Sequence, residues 1–236
     1  MEFVSRQWTD AGGNVRSEAL NRLCLGPGYV NAGYEVFDGV LSEPHCASLA
    51  EQVAAAMAQS CIEVDRDGIR IQTLNGQALV AAIPELQLLH DNIHARLAES
   101  IAGLLMLDDL PVAISANLLR PGQGHAFRYH FDRNEHTAVL YLSDCADLPL
   151  CLHPNIRTDP MDGEATWHYR QDTRQPIRID PRPGRLVCFH GRTTLHGVIP
   201  DSAPHSKCDR VSLQFAYDTR RRSFENQEYY GRPSGA

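Results

Sequence analysis

A histidine and an aspartate separated by one residue are the first group that could do chemistry. They are His130 and Asp132. In an extended segment, alternate side chains point to the same face, so both could reach one metal ion. His196 follows 64 residues after Asp132, and the neighbouring Gly197 would allow close approach. Two histidines and one carboxylate suit non-haem Fe(II), because they occupy one face of the ion and leave positions open on the other.

A second group lies near the C-terminal end of the chain. Arg210 and Ser212 are two residues apart at the start of an apolar run, fourteen residues after His196. The period of two in a strand places both side chains on one face. A guanidinium and a hydroxyl together suit the binding of a carboxylate through two points. This pair therefore predicts a carboxylate-binding site.

In chain order, these elements resemble the 2-oxoglutarate and Fe(II)-dependent dioxygenase superfamily, in particular its prolyl hydroxylases and alkylated-nucleic-acid demethylases. The resemblance covers roughly residues 117–217. It rests on Gly122, His130-x-Asp132, Gly184, His196-Gly197 and Arg210-x-Ser212. The family places a Gly-Gly-Glu stretch after its third core strand, whereas this chain reads Asp147-Leu148-Pro149-Leu150.

The resemblance implies a double-stranded β-helix that uses Fe(II), 2-oxoglutarate and O₂. The catalytic metal ligands would be His130, Asp132 and His196. The far carboxylate of 2-oxoglutarate would pair with Arg210 and Ser212, and a further residue of the same pocket would be Asn117. The implied reaction hydroxylates an unactivated C–H bond, while 2-oxoglutarate is converted to succinate and CO₂.

Three functions are compatible with these residues. The first is an enzyme that oxidises a small molecule, such as an amino acid or a specialised metabolite. The second is a protein or nucleic-acid demethylase or hydroxylase of the same superfamily, which the demethylase-like Asn117 favours. The third is a cupin-like module that holds a metal without turnover, which would leave Arg210 and Ser212 unexplained.

Other residues have both a functional and a plain structural interpretation. Arg128, two residues before His130, could contact substrate or could be a solvated strand-end arginine. His136 and Thr137 could line the same pocket, although a buried structural histidine is the simpler interpretation of His136. His190 competes with His196 as the third ligand. His90 and His94 stand four apart on a helix and are interpreted as part of a solvated face. These residues are read directly from the sequence.

Two helices and a series of short strands must position these groups. Pro44 in a first turn and an apolar stripe predict a helix over 43–59, and helical spacing predicts another over 84–105. Alternation predicts a strand over 69–74. Later candidate strands, separated by Gly, Pro, Asp and Asn, are 112–119, 126–131, 137–142, 148–152, 164–169, 176–179, 185–189, 195–199 and 210–217. This order predicts a mainly β, double-stranded β-helix (jelly-roll, cupin-like) core with supporting helices.

The chain length of 236 residues fits a single oxygenase-type domain. We expect mainly helical support over 1–110, the core over 111–218 and a tail over 219–236. A formal charge of −7 argues against a nucleic-acid surface. Seven cysteines without CxxC spacing predict free thiols, with Cys188 as a small buried residue. No apolar run is long enough for a membrane span, so we expect a cytoplasmic protein.

Overall fold

An antiparallel sheet dominates the structure, a computed structural model that describes residues 23–66, 69–157, 175–200 and 208–221. Its strands are β1 (Tyr34–Phe37), β2 (Ile62–Arg66), β3 (Ile69–Asn75), β4 (Leu105–Met106), β5 (Ile114–Leu119), β6 (Ala126–His130), β7 (His136–Tyr141), β8 (Leu150–His153), β9 (Ile177–Ile179), β10 (Leu186–His190), β11 (Leu195–Val198) and β12 (Arg210–Asp218). The helices are α1 (Pro27–Ala32), α2 (Glu43–Ser60), α3 (Gly76–Ala82), α4 (Glu85–Ala98) and α5 (Leu110–Ala113).

The strands follow the order β1-β10-β7-β12-β5-β3-β6-β11-β8-β9, with β2 beside β3 and β4 beside β12. The sheet folds back on itself, so that β7 and β10 pack face to face against β8 and β9 through an apolar cluster. That cluster includes Val139, Tyr141, Leu152 and Phe189. The predicted jelly-roll core with supporting helices is therefore confirmed.

The helices cover the outer face of the larger layer. Pro44 lies in the first turn of α2, where a backbone N–H has no acceptor within the helix. The missing N–H of proline therefore costs no hydrogen bond. One stripe of α2 and one of α4 are buried against the outward side chains of β5, β7, β10 and β12. The inward side chains of the same strands are thereby left to line the interior of the roll.

Strand β12 shows this division most clearly. Val211, Leu213 and Phe215 belong to the core beneath the helices. Arg210, Ser212 and Gln214, which alternate with them, line an interior cavity. Since β12 lies between β5 and β7, its inward side chains face the middle of the roll.

Most predicted elements have counterparts, with shifted ends. Val112 lies in the short helix α5, because Pro111 occupies its first turn. The second predicted helix ends at Ala98, so Leu105 belongs to β4 instead. Four strands, β1 to β4, extend the sheet into the segment expected to be mainly helical. The predicted strand 164–169 and most of the predicted tail lie outside the described residues.

The seven cysteines all fall within the described ranges, and each is a free thiol, as predicted. Cys188 is buried in β10. Among the described helices, none is long and apolar enough to cross a membrane.

The expected solvated face around His90 is wrong. His90 is buried and stacks on Phe215 and Tyr217, with ring centroids 5.8 and 5.1 Å away. Burial lowers its pKa to about 4, with a smaller contribution from His94. The side chain is therefore a neutral part of the helix-to-sheet packing.

A buried carboxyl at the end of β12 predicts a measurable pH dependence. Burial raises the pKa of Asp218 to about 7. In the unfolded chain the value is near 3.8, so folding takes up a proton between about pH 4 and 7, and stability falls as pH rises through that window. Asp218→Asn is expected to stabilise the protein by roughly 2 kcal/mol at pH 8 and by little at pH 4.

Urea titrations of wild type and variant at both pH values would measure this difference. The asparagine oxygen can still accept the hydrogen bond that Asp218 receives from the Glu135 amide. Asp65→Asn, at an exposed position, is the matched control. Equal stabilisation by Asp218→Asn at both pH values would contradict the prediction.

Candidate metal centre

Two imidazoles and a carboxylate converge at one end of the roll. The Nε2 atoms of His130 and His196 each lie 3.4 Å from Oδ1 of Asp132. One potential ligand atom from each residue lies within 4.8 Å of the others, which makes this group a possible metal site. His130 and His196 come from neighbouring strands, β6 and β11, whose register pairs them directly.

Backbone carbonyls orient both rings. Nδ1 of His130 lies 2.9 Å from the carbonyl oxygen of Arg128, and Nδ1 of His196 lies 3.0 Å from that of Thr194. Because a carbonyl can only accept, each Nδ1 must carry the proton. Each Nε2 is then left with a lone pair that faces the centre of the group, as a metal ligand requires.

A chain of hydrogen bonds fixes Asp132. Its backbone N–H donates to the carbonyl of Gly191, and the Thr137 hydroxyl donates to Oδ2 at 2.5 Å. Asn134 in turn donates to the Thr137 oxygen at 2.8 Å. A Cβ on Gly191 would lie 2.8 Å from the Asp132 Cβ, so this position tolerates no larger residue without movement. The other oxygen, Oδ1, remains directed at the two imidazoles.

Glycine also allows the two histidine strands to approach. A Cβ on Gly197 would lie 2.8 Å from the carbonyl oxygen of Phe127 and 3.0 Å from the amide nitrogen of Tyr129. The expectation that Gly197 serves close approach agrees with this spacing. The His130 and His196 rings are 4.2 Å apart, centroid to centroid.

The charges of the group match a cation site. Burial opposes ionisation of Asp132, but the two neighbouring imidazoles hold the pKa of that carboxyl well below its usual range. Burial, together with His196, lowers the pKa of His130. Burial also acts against protonation of His196, but Asp132 outweighs it and raises the pKa of that imidazole. At neutral pH, therefore, Asp132 is ionised and favours a positive charge beside it, on His196 or on a bound metal ion.

The Thr137 hydroxyl predicts an effect on metal affinity. Thr137→Val keeps the shape of the side chain but removes the donor to Asp132. Loss of such an outer partner typically weakens metal binding by about 10- to 100-fold, which is the expected outcome. Competition titration with Fe(II) or Mn(II) would measure it. Thr137→Ser retains the hydroxyl and should retain most of the affinity; equal affinities for the valine and serine variants would contradict the role.

A deep cavity lies next to the histidines; its lining includes Arg210, Ser212, Asn117, His130 and His196. The three strands β5, β12 and β7 supply its floor. Ser212 of β12 is the direct neighbour of Asn117 on one side and of Tyr141 on the other. The two predicted groups are thus parts of one space.

Arg210 is a buried cation without a carboxylate partner in the described part of the chain. Its side chain is 4% exposed. Nη2 lies 3.5 Å from the Tyr141 hydroxyl, and the guanidinium carbon lies 5.1 Å from that ring. Nε has no hydrogen-bond partner. A buried charge is costly unless it is paired, so this position is suited to binding an anion.

An outer cavity of about 240 Å³ adjoins the deep one, and its lining includes Arg128, His130, Phe131, Asp132 and Arg133. Asn117, Phe127 and Gln214 border both cavities. The histidine and aspartate group therefore lies where the two spaces meet.

The alternation of side chains along a strand explains where the three predicted substrate-binding residues lie. Arg128 is exposed and lines the outer cavity. Thr137 faces inward but is buried against Asp132, so its hydroxyl holds the Asp132 carboxylate in position. His136 faces the opposite side of β7, where its Nδ1 lies 2.7 Å from the Tyr29 hydroxyl. His136 is therefore the buried structural histidine of the simpler interpretation and does not line the pocket, because neighbouring residues of a strand point to opposite faces.

His190 lies with His136 on that outer side. Its ring stacks on Tyr29, with centroids 4.6 Å apart, and is 4.9 Å from the His136 ring. Only His130, Asp132 and His196 meet the geometric requirement for a metal among the described residues. His196, rather than its competitor His190, is the histidine that joins the group.

Sequence patterns did not identify two polar residues near Arg210 and Ser212, namely Tyr141 and Gln214. Tyr141 reads as an ordinary core aromatic at the end of an apolar strand, yet its hydroxyl lies beside Arg210. Gln214 shares the alternation of Arg210 and Ser212. That spacing, extended by one further step, could have identified it.

Comparisons with known proteins identify the fold. No family model and no curated protein matches the sequence. A prolyl-4-hydroxylase from Pseudomonas putida matches with a TM-score of 0.54 and 19% identity, over 87% of this chain and 100% of that one. The α-ketoglutarate-dependent epimerase SnoN of nogalamycin biosynthesis matches at 0.61 and 20%, over 84% and 82%. HygX from Streptomyces hygroscopicus, with nickel and 2-oxoglutarate bound, matches at 0.58 and 15%, over 87% of each chain.

Proposed function

We propose that this chain is a 2-oxoglutarate-dependent non-haem Fe(II) oxygenase that oxidises a C–H bond of a small molecule. One observation carries the proposal: a two-histidine, one-carboxylate group adjoins a deep cavity whose floor holds a buried, uncompensated arginine. The fold shared with proteins whose names include α-ketoglutarate or 2-oxoglutarate supports it.

Different residues would bind the metal and 2-oxoglutarate. Fe(II) would be held by His130, Asp132 and His196; when bound, it combines 2-oxoglutarate and O₂ to convert a C–H group to an alcohol, with release of succinate and CO₂. Arg210 would bind the distal carboxylate of 2-oxoglutarate. The charge-assisted hydrogen bonds formed there would compensate a guanidinium that is otherwise buried alone.

The deep cavity suits one end of a dicarboxylate. Ser212, a buried hydroxyl two residues from Arg210, offers a second donor, and the Tyr141 hydroxyl offers a third. Asn117 would contact the part of 2-oxoglutarate nearer the metal. Leu119, Val139 and Leu150 keep the surroundings apolar, which strengthens each polar contact because little water can compete.

A small organic substrate is favoured over a polymer. The outer cavity, about 240 Å³, lies near the lower end of the volumes that enclose small ligands, roughly 300–1,000 Å³. The net charge of −7 disfavours nucleic acid. Seven free thiols support a reducing, cytoplasmic location. A peptide remains the second candidate substrate, since one structural neighbour is a prolyl hydroxylase in complex with a peptide fragment.

Anaerobic titration tests the proposal directly. Addition of Fe(II) and then 2-oxoglutarate is expected to produce a weak visible charge-transfer band, and admission of O₂ is expected to yield succinate without added substrate. A protein that binds metal but gives neither signal would instead be a cupin-like module without turnover. Oligonucleotide binding that is absent or insensitive to salt would remove the nucleic-acid alternative.

A further inference from the structure

The charged lining of the outer cavity is positive apart from the metal-site carboxylate. Its charged members among the described residues are Arg128, Arg133 and Asp132. Asp132 already faces two imidazoles and the Thr137 hydroxyl. The described wall therefore offers Arg128 no carboxylate other than that of Asp132.

Arg128 differs from three other arginines near the sheet, which are paired with aspartates. Arg120 pairs with Asp209 at 3.1 Å, Arg178 with Asp180 at 3.0 Å and Arg185 with Asp38 at 2.6 Å. The Arg128 guanidinium has neither a hydrogen bond nor an ion pair with the described residues. Arg128 also lines the outer cavity. A cation in such a place is available to an anionic ligand.

The position of Arg128 suits a role in orienting substrate. Residues two apart on a strand are separated by roughly 6–7 Å, and Arg128 precedes the metal-site His130 by two. Both belong to the same wall of the outer cavity. A ligand held at Arg128 therefore has the rest of its body directed along the wall toward the group at which oxidation would occur.

The remaining walls suit the uncharged part of such a ligand. Ile71, Phe127 and Phe131 supply apolar surface. The amide side chains of Asn117 and Gln214 are half-buried at the junction of the two cavities and form no hydrogen bond with the described residues. A ligand with an apolar carbon skeleton and one or two neutral polar groups could contact the apolar surface and also form hydrogen bonds with these amides.

We propose that the substrate is a small organic anion, with a carboxylate or a phosphate bound by Arg128 and its carbon skeleton held against the aromatic wall. This inference rests on the proposed function and specifies its substrate class. Bidentate binding by a guanidinium gives such a contact its direction.

Matched probe pairs test the charge requirement. One pair is an amino-acid-sized carboxylic acid with its primary amide, and the other is a phosphate monoester with the corresponding alcohol, each in aliphatic and aromatic forms. Calorimetry would measure their binding to anaerobic protein loaded with Fe(II) and 2-oxoglutarate, with the apoprotein in parallel. We expect a charged member to bind at least about 10-fold more tightly than its neutral partner, and the tighter pair identifies carboxylate or phosphate.

Variants assign this preference to one side chain. Arg128→Gln is expected to remove most of the difference between charged and neutral members, and Arg128→Lys to restore part of it. Arg96→Gln makes the same change of charge on α4, where Arg96 pairs with Glu99, and should leave the preference unchanged. Equal binding of both members, binding by neither, or a preference that persists in Arg128→Gln would overturn the inference.

The two proposals fail in different ways. If the charge-transfer band and succinate form but the probes show no preference for charge, the oxygenase assignment stands and the substrate class is wrong. If the band never forms, the oxygenase assignment is wrong. The apoprotein titrations then still report whether Arg128 binds anions.

Discussion

Replacing Asp132 by alanine is expected to abolish both the charge-transfer band and the formation of succinate. The side chain supplies the only negative charge of the proposed ligand set and lies 3.4 Å from Nε2 of each histidine. Loss of a residue that only hydrogen-bonds to a metal ligand typically lowers metal affinity or activity by about 10- to 100-fold. Loss of a charged ligand itself should therefore lower turnover by at least about 1,000-fold. Anaerobic spectra and succinate assays would measure the effect.

Two further variants make the Asp132 result interpretable. Asp132→Asn keeps the size of the side chain and tests charge alone if the alanine variant fails to fold. Asp65→Ala removes an exposed carboxylate remote from the cavity and should leave the band intact. Turnover within about tenfold of wild type in Asp132→Asn, under metal-limited conditions, would show that the carboxylate is not a ligand.

Arg210→Met should separate binding of 2-oxoglutarate from stability. Removing one partner of a buried charge pair costs about 2–5 kcal/mol, which corresponds to roughly 30- to 5,000-fold weaker binding of 2-oxoglutarate. In the ligand-free protein the same change removes a buried and unpaired charge, so the melting temperature is expected to rise. Calorimetric titration and thermal melts, with and without 2-oxoglutarate, measure the two effects.

Misfolding would weaken 2-oxoglutarate binding and also lower the melting temperature. Weaker binding together with a higher melting temperature would therefore not be explained by misfolding. Arg210→Lys keeps the charge but loses the planar fork, so its affinity for 2-oxoglutarate should be intermediate. Arg96→Met, on the outer helix layer, controls for the loss of an arginine elsewhere. Unchanged affinity for 2-oxoglutarate in Arg210→Met would remove the carboxylate-binding role proposed for the deep cavity.

The sequence was most informative where alternation within one strand determines the face of a residue. Arg210 and Ser212 share a face by spacing alone, and the structure places both in one cavity. His130 and Asp132 likewise share a side, although Asp132 lies just beyond the end of β6. Spacing could not show that His196 would lie opposite His130, because that register depends on long-range pairing between β6 and β11.

Residues whose environment comes from distant segments were predicted less well. His136 faces Tyr29 of α1, a six-residue helix too short to show helical periodicity in sequence. His90 stacks on Phe215 and Tyr217, which are more than 120 residues away. Tyr141 borders Arg210 only because β7 and β12 pair. Each environment is a product of tertiary packing, which local pattern does not report.

The two-sided character of β12 limits how this protein can be varied. Its odd-numbered positions from 211 to 217 pack under the helices, while the even-numbered positions from 210 to 214 face the interior. Inserting or deleting one residue within the strand would exchange the two sets of side chains. The Arg210 guanidinium would then be buried under the helices, and leucine and phenylalanine side chains would point into the cavity. Evolution or engineering of new specificity is therefore confined to side-chain replacement on this strand, whereas changes of length can be accommodated in the loops around the outer cavity.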